Sequence, residues 1–513
     1  MIPFILVLIP VLFAASPLFG NGFIPTHDGE YHIIRFWQYF TMLSGGTLFP
    51  RWAPDLNYGL GIPLFTFQYP FPNLVGALFH VFGFSFVDSV KLVTATGYIV
   101  AVLFSYLWLK EKFGTFRAAI GALAGAFVPY WFLDMYIRGS LGEIWAIAFI
   151  FASLFALTKK RYGMASAGVA LLIVSHNIMA MLFVPVLFLY AFLFCRQGLF
   201  AILLGVGMSS VFWIPALYER QFISGLSNVN VFDYFPRLDQ LLLPSWGSGY
   251  RGQTGGATEM SYQIGIMPMV IFIAGLFVSR KENHLRKELL FYRLLGVAAV
   301  FFMLPVSVFV WQMIPPLSLI QYPWRLLAVI VIATPILAAA VARKNVVSVL
   351  IVVCAFAFTW RYFHPVIYQP RTDAQYFAHE QLSRGTSSLG NAFQTRWITG
   401  DPKSLATTPF SLSSGTVSAE KTAPTRYAIS LTATASGTLT APVAHYPGWV
   451  FITGEKTIPS EPDGRGLASF TIPSGVREGE IALHETWWQR LSVFIGVLSL
   501  SVAFVSFILK RQL

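Results

Sequence analysis

The sequence predicts a polytopic, all-α membrane protein with a small β-rich domain on its outer face. Of its 513 residues, 56% are hydrophobic and only 11% are charged, whereas about a quarter of the residues in a soluble protein are charged. The apolar residues fall into runs of about twenty, the length of a helix that crosses a ~30 Å hydrocarbon core. A segment near the end of the chain instead alternates between apolar and polar residues, which is typical of strands.

The apolar runs predict about twelve transmembrane helices. They begin near Ile2, Asp88, Ala118, Glu143, Met164, Ile178, Leu199, Gln263, Leu294, Pro323, Val346 and Trp488. The first run lacks the basic leading region of a signal peptide, so we expect an uncleaved helix. The run after Met164 is short for a complete crossing, and we expect a tilted or broken helix there.

Basic residues between the runs predict the orientation. They cluster at 110–117, 159–161, 196, 280–293, 343–344 and 510–511. With the N-terminus in the cytoplasm, every cluster falls on the cytoplasmic side, as the positive-inside rule requires. We therefore expect a multi-pass protein of the plasma or inner membrane with both termini in the cytoplasm. The net charge of +12 is explained by these clusters, and we expect no binding to nucleic acid.

Three regions are predicted along the chain. Residues 1–363 are interpreted as a membrane domain with a long first outer loop (21–87), residues 364–487 as an extracytoplasmic β-rich domain, and residues 488–513 as a C-terminal transmembrane helix. The alternation begins near Arg426 and is broken by Gly and Pro, which predicts a small antiparallel sheet or sandwich. Cys195 and Cys354 both lie on apolar runs and are predicted to be core residues without a disulfide.

Ionisable side chains gather at the predicted outer ends of the spans. Such groups are costly to desolvate near a membrane and are therefore candidates for function. They are His27, Asp28, Glu30 and His32 after the first span, Asp134, Arg138 and Glu143 between the third and fourth, His176 and Asn177 between the fifth and sixth, and Gln321, Trp324 and Arg325 at the tenth. A carboxylate can accept a proton or hold a divalent cation, and an arginine can hold a phosphate by its planar fork.

Each candidate also has a structural interpretation. Asp28 is placed to cap a helix that begins near Gly29, and Glu30 to complement the dipole of that helix. Arg138 and Arg325 can extend towards lipid headgroups, and His176 can form an interhelical hydrogen bond. Because neither Asp28 nor Glu143 has an obvious partner in its own segment, we hypothesise that both face one cavity, with His27 or His176 nearby.

Several short motifs together resemble a known family. They are His27-Asp28, Phe49-Pro50-Arg51-Trp52, Tyr58 to Phe65, Arg138-Gly139-Ser140-Leu141-Gly142-Glu143, Ser175-His176-Asn177, Tyr322-Pro323-Trp324-Arg325 and, in the tail, Tyr446-Pro447-Gly448-Trp449. The chain resembles the bacterial membrane proteins labelled as 6-pyruvoyl-tetrahydropterin-synthase-related. These are similar to YfhO-like proteins and to the wider GT-C superfamily of integral-membrane glycosyltransferases.

The resemblance implies a site and a reaction. Asp28 matches the acid that acts as base or metal ligand in GT-C enzymes, and Glu143 or Asp134 matches the second acid, although an Asp-X-Asp is missing from the second loop. Substrate-binding roles are placed on His27, Glu30, Arg138, His176, Asn177 and Arg325, and candidate ligands of a divalent cation are Asp28, Glu143 and His176. The implied donor is a polyprenyl-phosphate sugar in the membrane lipid, and the acceptor is a glycan, lipid or protein of the cell envelope.

Two other functions fit the same sequence. One is a transporter or flippase for lipid or glycan, although the spans contain few of the mid-membrane charges that mark a translocation pathway. The other is a non-catalytic envelope protein that binds glycan through its outer domain, because fold and activity are separable.

Overall fold

The computed structural model describes residues 2–225, 230–249, 259–278, 285–365, 367–433 and 435–510. Most of the chain is helical, and a β-rich region lies near its end. The helices are α1 (Ile2–Ala15), α2 (Gly29–Ser44), α3 (Leu64–Phe67), α4 (Pro70–Val81), α5 (Phe86–Ala126), α6 (Pro129–Leu133), α7 (Leu141–Thr158), α8 (Tyr162–Ser175), α9 (Asn177–Phe194), α10 (Gly198–Met208), α11 (Ser210–Glu219), α12 (Leu238–Leu242), α13 (Ile266–Val278), α14 (Arg286–Met303), α15 (Val308–Met313), α16 (Leu327–Val341), α17 (Asn345–Thr359), α18 (Asp373–Ala378), α19 (Glu380–Arg384), α20 (Pro402–Leu405) and α21 (Trp487–Lys510).

The described helices include six that are long and apolar enough to cross a membrane, or eight if two bent pairs each form one broken span. The chain is therefore a multi-pass membrane protein. Each predicted span begins in or next to a helix, but the predicted number of about twelve spans is not confirmed, because some helices fall short of a ~30 Å crossing. Helices α1, α8 and α13 have 14, 14 and 13 residues, so each is only about 20 Å long.

Helix α5 is a hairpin of two arms. Its 41 residues would make a straight rod of about 60 Å, yet the Tyr98 hydroxyl donates to the Ala126 carbonyl at 2.8 Å. The reversal occurs at Gly114, whose φ of 75° and ψ of 175° interrupt the helix. The two arms correspond to the runs predicted from Asp88 and from Ala118.

Helices α7 and α16 form the centre of the membrane part, since every residue except the last is buried in each. The second arm of α5 packs closely on α16, since a Cβ at Gly125 would lie 2.4 Å from Pro335 Cγ. Small residues allow such close approach of helices in a membrane. Helix α7 begins just before Glu143, and α16 begins two residues after Arg325. Because both helices pack on α5, both side chains come to the same end of the bundle.

Loops that were predicted to share the cytoplasmic side contact one another. Lys159 Nζ lies 3.0 Å from Glu111 Oε2, and Lys112 Nζ lies 2.8 Å from Glu288 Oε1. These ion pairs join the loops after the second, fourth and eighth predicted spans. Residues 280–284 of the predicted basic cluster 280–293 lie outside the described residues.

The β-rich region is a sandwich of two antiparallel sheets. The orders are β1-β4-β8-β7 and β2-β3-β9-β5-β6, and the inner faces of both sheets share one apolar core. The strands are β1 (Ser411–Leu412), β2 (Gly415–Ala423), β3 (Arg426–Ala433), β4 (Gly437–Ala444), β5 (Trp449–Thr453), β6 (Lys456–Pro459), β7 (Glu461–Pro462), β8 (Leu467–Ile472) and β9 (Glu478–Leu483). The sandwich begins at Ser411, earlier than predicted, and short helices (α18 to α20) precede it.

A buried carboxylate joins the sandwich to the membrane part. Glu219 at the end of α11 is 0% exposed. Its carboxylate accepts hydrogen bonds from the Tyr446 hydroxyl at 2.5 Å, Trp488 Nε1 at 2.8 Å and Gln489 Nε2 at 2.6 Å. Three donors from the sandwich and from α21 thus satisfy one acid of the membrane bundle.

Candidate active site

Glu143 is the centre of a buried ion-pair network. Its side chain is 0% exposed. Arg138 donates to it as a fork, from Nη2 to Oε1 at 2.7 Å and from Nη1 to Oε2 at 3.0 Å. Arg325 Nε donates to Oε1 at 3.0 Å, and the Tyr130 hydroxyl donates to Oε2 at 2.5 Å. Both carboxylate oxygens therefore accept hydrogen bonds, Oε1 from the two arginines and Oε2 from Arg138 and the Tyr130 hydroxyl.

Asp134 extends this network by one acid. It begins a π-helical turn over Asp134–Arg138, and its Oδ1 accepts from Arg138 Nη1. The Arg138 guanidinium is sandwiched between these contacts and the Trp324 ring, whose centroid lies 4.6 Å away. Two acids and two arginines balance in charge, which makes the burial of all four groups tolerable.

The network changes the roles expected of its members. The expectation that Glu143 has no partner in its own segment is wrong, because Arg138 and Tyr130 both bind it. Arg138 is 5% exposed and Arg325 is 8% exposed, so neither guanidinium extends to lipid headgroups. Both are held by acids, and a phosphate could take the forked edge of Arg138 only by displacing Glu143.

Asp28 stands apart from this network as an exposed acid. It immediately precedes α2, but its side chain makes no capping hydrogen bond. Thr26 Oγ1 instead accepts from the Gly29 amide at 3.0 Å. Within the described residues, we find no hydrogen bond or ion pair to the Asp28 carboxylate, so both of its oxygens remain available to a ligand.

The backbone around Asp28 is fixed on the π-helical turn. The His27 amide donates to the Ile137 carbonyl and the Asp28 amide to the Arg138 carbonyl, both at 2.9 Å. The turn that carries Asp134 and Arg138 therefore fixes the backbone position of Asp28. Asp28 is also close enough to Tyr69 and Tyr322 to raise their pKa values electrostatically, although burial has the largest effect on both.

Histidines surround this turn in neutral form. Burial lowers the pKa of His27, whose Nε2 lies 2.7 Å from the Ser248 carbonyl. Burial lowers the pKa of His32 well below its usual value, and the nearby Arg35 lowers it further. Burial also lowers the pKa of His176 to about 3 despite the nearby Glu143 carboxylate. None of the three is expected to carry charge near neutral pH.

His176 and Asn177 have local structural contacts. His176 Nδ1 accepts from the Met179 amide at 3.2 Å and so caps α9, while its Nε2 lies 3.8 Å from Glu143 Oε1. Asn177 Nδ2 donates to the Phe67 carbonyl at 2.9 Å. These contacts fix the start of α9 beside the network.

Glu30 points away from Asp28 towards the segment after α17. Its Oε1 lies 3.3 Å from Arg371 Nη1. This exposed ion pair links the first turn of α2 to the chain that leads into the sandwich.

The candidate metal ligands do not form a set. Within the described ranges, no group of three His, Cys, Asp or Glu side chains is placed to hold a metal ion. Glu143 has two guanidinium groups within 3.0 Å, where a divalent cation would be repelled. Both oxygens of Glu143 are occupied and His176 uses Nδ1 as a cap, whereas both oxygens of Asp28 are without a partner among the described residues.

Comparison with known proteins gives matches among solved structures. No protein-family model matches the chain, and no curated protein does either. The chain is similar to an arabinofuranosyltransferase. The cryo-EM structure of AftD from Mycobacteria matches with 15% identity and a TM-score of 0.47, over 94% of this chain and 40% of AftD. A structure of an AftD mutant matches with 14% identity and a TM-score of 0.42, over 94% of this chain and 41% of the mutant chain. The chain thus spans less than half of AftD, and the pterin-synthase-related and YfhO-like resemblances stay predictions.

Two members of the site are not among the predicted residues. Tyr130 joins Glu143 to Arg138, since its hydroxyl accepts from Arg138 Nη1 at 3.2 Å while it donates to Glu143. The ring of Tyr69 lies 5.0 Å from that of His176. The only sequence signal for Tyr130 is its position one helical turn before Asp134, where a hydroxyl can reach the same neighbours.

Proposed function

We propose that the chain is an integral-membrane glycosyltransferase of the GT-C type. It moves a sugar from a polyprenyl-phosphate donor to a cell-envelope acceptor on the extracytoplasmic side. The observation that carries the proposal is the Asp28 carboxylate, which is exposed and unpartnered among the described residues while its backbone is fixed by the buried network. A base needs free oxygens in a fixed position, and Asp28 has both.

In this mechanism, Asp28 accepts the proton of the acceptor hydroxyl. The acceptor oxygen forms a bond to the anomeric carbon of the sugar, and the bond from that carbon to the phosphate oxygen breaks. Polyprenyl phosphate leaves with the electron pair. Proximity and orientation lower the barrier, because acceptor and base meet in one geometry.

Arg325 is the cation that best fits the leaving phosphate. Its Nε binds Glu143, and its Nη1 donates to the Ile320 carbonyl and to Gln321. Its Nη2 makes no hydrogen bond to any residue that the structure describes, and it is not among the fully buried polar atoms. The two N–H groups of Nη2 are therefore left to stabilise the negative charge that develops on the phosphate. A divalent cation, if used, would have Asp28 and substrate oxygens as ligands.

The test is substitution of Asp28 by Asn, with Asp88→Asn as the matched control. The purified full chain is assayed for release of polyprenyl phosphate from a panel of short-chain polyprenyl-phosphate sugars. We expect Asp28→Asn to reduce transfer about 100-fold or more, the usual contribution of a general base. Asp88→Asn makes the same change at an exposed acid in the first turn of α5, where an ion pair with Lys91 is lost, and should retain activity.

Stability separates a catalytic role from a structural one. Because Asp28 is exposed and makes no side-chain hydrogen bond, its substitution should change the free energy of unfolding by less than about 0.5 kcal/mol. Normal transfer by Asp28→Asn would contradict the role of Asp28 as the base. Absence of transfer by the wild-type chain from every donor of the panel would contradict the transferase and favour a transporter or a glycan-binding protein.

A further inference from the structure

A pocket lies between the membrane part and the sandwich. Its volume is 240 Å³, and its walls include Arg51, Thr66, Tyr446 and Gln489. Met42, near the end of α2, also lines it, whereas Asp28 directly precedes the start of that helix. At 1.5 Å per residue the two places are about 21 Å apart along α2. The pocket is therefore distinct from the candidate active site.

Arg51 lines this pocket and has two N–H groups without a partner among the described residues. Its Nη1 donates to the Val211 carbonyl at 3.3 Å. Its Nε and Nη2 are buried and have no acceptor within the described residues. In a guanidinium, these two N–H groups point in parallel and are suited to grip two oxygens of one carboxylate or phosphate.

The acids near Arg51 leave this fork free. The Glu219 carboxylate is already bound by Tyr446, Trp488 and Gln489. Glu485 lines the pocket but is exposed to solvent. Neither acid forms an ion pair with Arg51. The Glu219 carboxylate acts on the Arg51 charge from a distance but makes no ion pair with it. Because buried cations are normally paired by direct contact, Nε and Nη2 are suited to an anion from outside the chain.

The rim of the pocket is partly apolar and lies beside the start of a candidate membrane span. Gln489 in its wall belongs to the first turn of α21, a candidate span that begins at Trp487. Leu48 and Phe49 also line the pocket, and they are 76% and 42% exposed. An anion that also meets exposed apolar side chains at this level has the chemistry of a lipid headgroup with its chains.

We propose that this pocket binds the phosphate of an anionic membrane lipid, with Arg51 holding two phosphate oxygens and Leu48 and Phe49 contacting the acyl chains. The lipid then lies in the seam between the sandwich and the bundle. This inference is independent of the proposed transferase activity, because the pocket does not include Asp28.

Lipid binding to the purified full chain tests the proposal. Native mass spectrometry and thermal unfolding are measured with phosphatidylglycerol, with a phosphate-free galactosyl diacylglycerol, and with soluble glycerol 1-phosphate. We expect wild-type protein to bind phosphatidylglycerol best. Arg51→Lys, which keeps the charge but loses the fork, and Arg51→Gln should both bind it about tenfold or more weakly.

Two further variants control for charge and for folding. Arg490→Gln removes an exposed cation of the first turn of α21 and should bind like wild type, because its side chain is absent from the pocket wall. Glu485→Gln removes the acid of the wall and should bind phosphatidylglycerol more tightly, even if the Arg51 variants fail to fold.

Four results would overturn the proposal or its lipid source. Equal binding of the phosphate-free lipid, or an unchanged affinity in Glu485→Gln, would overturn the phosphate site. Equal affinity for glycerol 1-phosphate would overturn the lipid as the source of the phosphate. Equal losses in Arg490→Gln and Arg51→Lys would mean non-specific attraction and would also overturn the proposal.

Discussion

At the scale of single residues, the chain separates two acids that the sequence makes look alike. Glu143 is buried and held by two arginines and a tyrosine, whereas Asp28 is exposed and its carboxylate is free among the described residues. The first acid is suited to position the site, and the second to meet a substrate. The buried, charge-balanced network is suited to hold the backbone of Asp28 in place, which positions the free carboxylate for catalysis.

Loss of the Glu143 charge should destabilise the protein. Glu143→Gln leaves Arg138 and Arg325 without their shared counterion, and breaking a buried ion pair costs about 3–5 kcal/mol. Glu111→Gln is the matched control, because Glu111 pairs with Lys159 at a partly exposed site and such pairs contribute about 1 kcal/mol or less. Unfolding by SDS or by heat would compare the two variants. Equal stability of both would mean that the network is not a major source of stability.

The sequence identified Arg138, Glu143 and Arg325 as important but gave each a separate role. The contact between Glu143 and Arg325 joins positions 182 residues apart, and a single sequence contains no signal for such a pairing. For Asp28 the capping interpretation failed because Thr26 fills the same role. Both Thr and Asp are good capping residues, so local composition could not decide between them.

At the scale of elements, the reversal within α5 depends on one glycine. Gly114 has φ 75° and ψ 175°, a conformation that is essentially restricted to glycine. A Cβ there would meet no atom within 4 Å. Any cost of a side chain at this position therefore comes from the backbone alone.

Gly114→Ala should lower the free energy of unfolding by about 1–3 kcal/mol, the cost of holding alanine in this backbone region. Gly163 in α8 provides the control, since it also has open space around its Cβ position but no positive φ. Gly163→Ala should raise stability by up to about 1 kcal/mol through helix propensity. Thermal unfolding of both variants measures the difference. A Gly114→Ala protein as stable as Gly163→Ala would mean that the turn tolerates other conformations.

The apolar runs predicted both arms of α5, because each arm buries a continuous apolar face. The alternation of apolar and polar residues, which predicted the later strands, did not predict β1 and β2. Strand β2 has mostly exposed residues and is held by backbone pairing to β3, so it lacks the alternation that marks a half-buried strand. Short helices such as α1 and α13 were predicted as full spans because hydrophobicity gives no measure of where a helix ends.

At the scale of the whole molecule, the two ends of the bundle differ in chemistry. One end has ion pairs between basic loops, such as Lys112 with Glu288. The other end has the candidate active site and the sandwich, where the Ala444 amide donates to the Leu60 carbonyl at 2.8 Å. The contacts therefore agree with the sorting of loops that the positive-inside rule predicts, while the direction across the membrane stays a prediction.

Cysteine labelling tests that direction. In a background without Cys195 and Cys354, we expect a cysteine at the exposed Ser418 of β2 to react with a membrane-impermeant maleimide in intact cells. A cysteine at the exposed Asn345, at the start of α17, should react only after the membrane is opened. The reverse pattern would place the candidate active site in the cytoplasm and exclude an extracytoplasmic reaction.

The 182 residues between Glu143 and Arg325 also have a consequence during biosynthesis. Ribosomes add about 5–20 residues per second, so Glu143 waits roughly 10–40 seconds for its second arginine. During that interval, Asp134 and Glu143 share a single cation, and the nascent bundle carries an unbalanced negative charge at its centre. The arrival of Arg325 neutralises it, so the network is complete only after the chain that leads into α16 has been made.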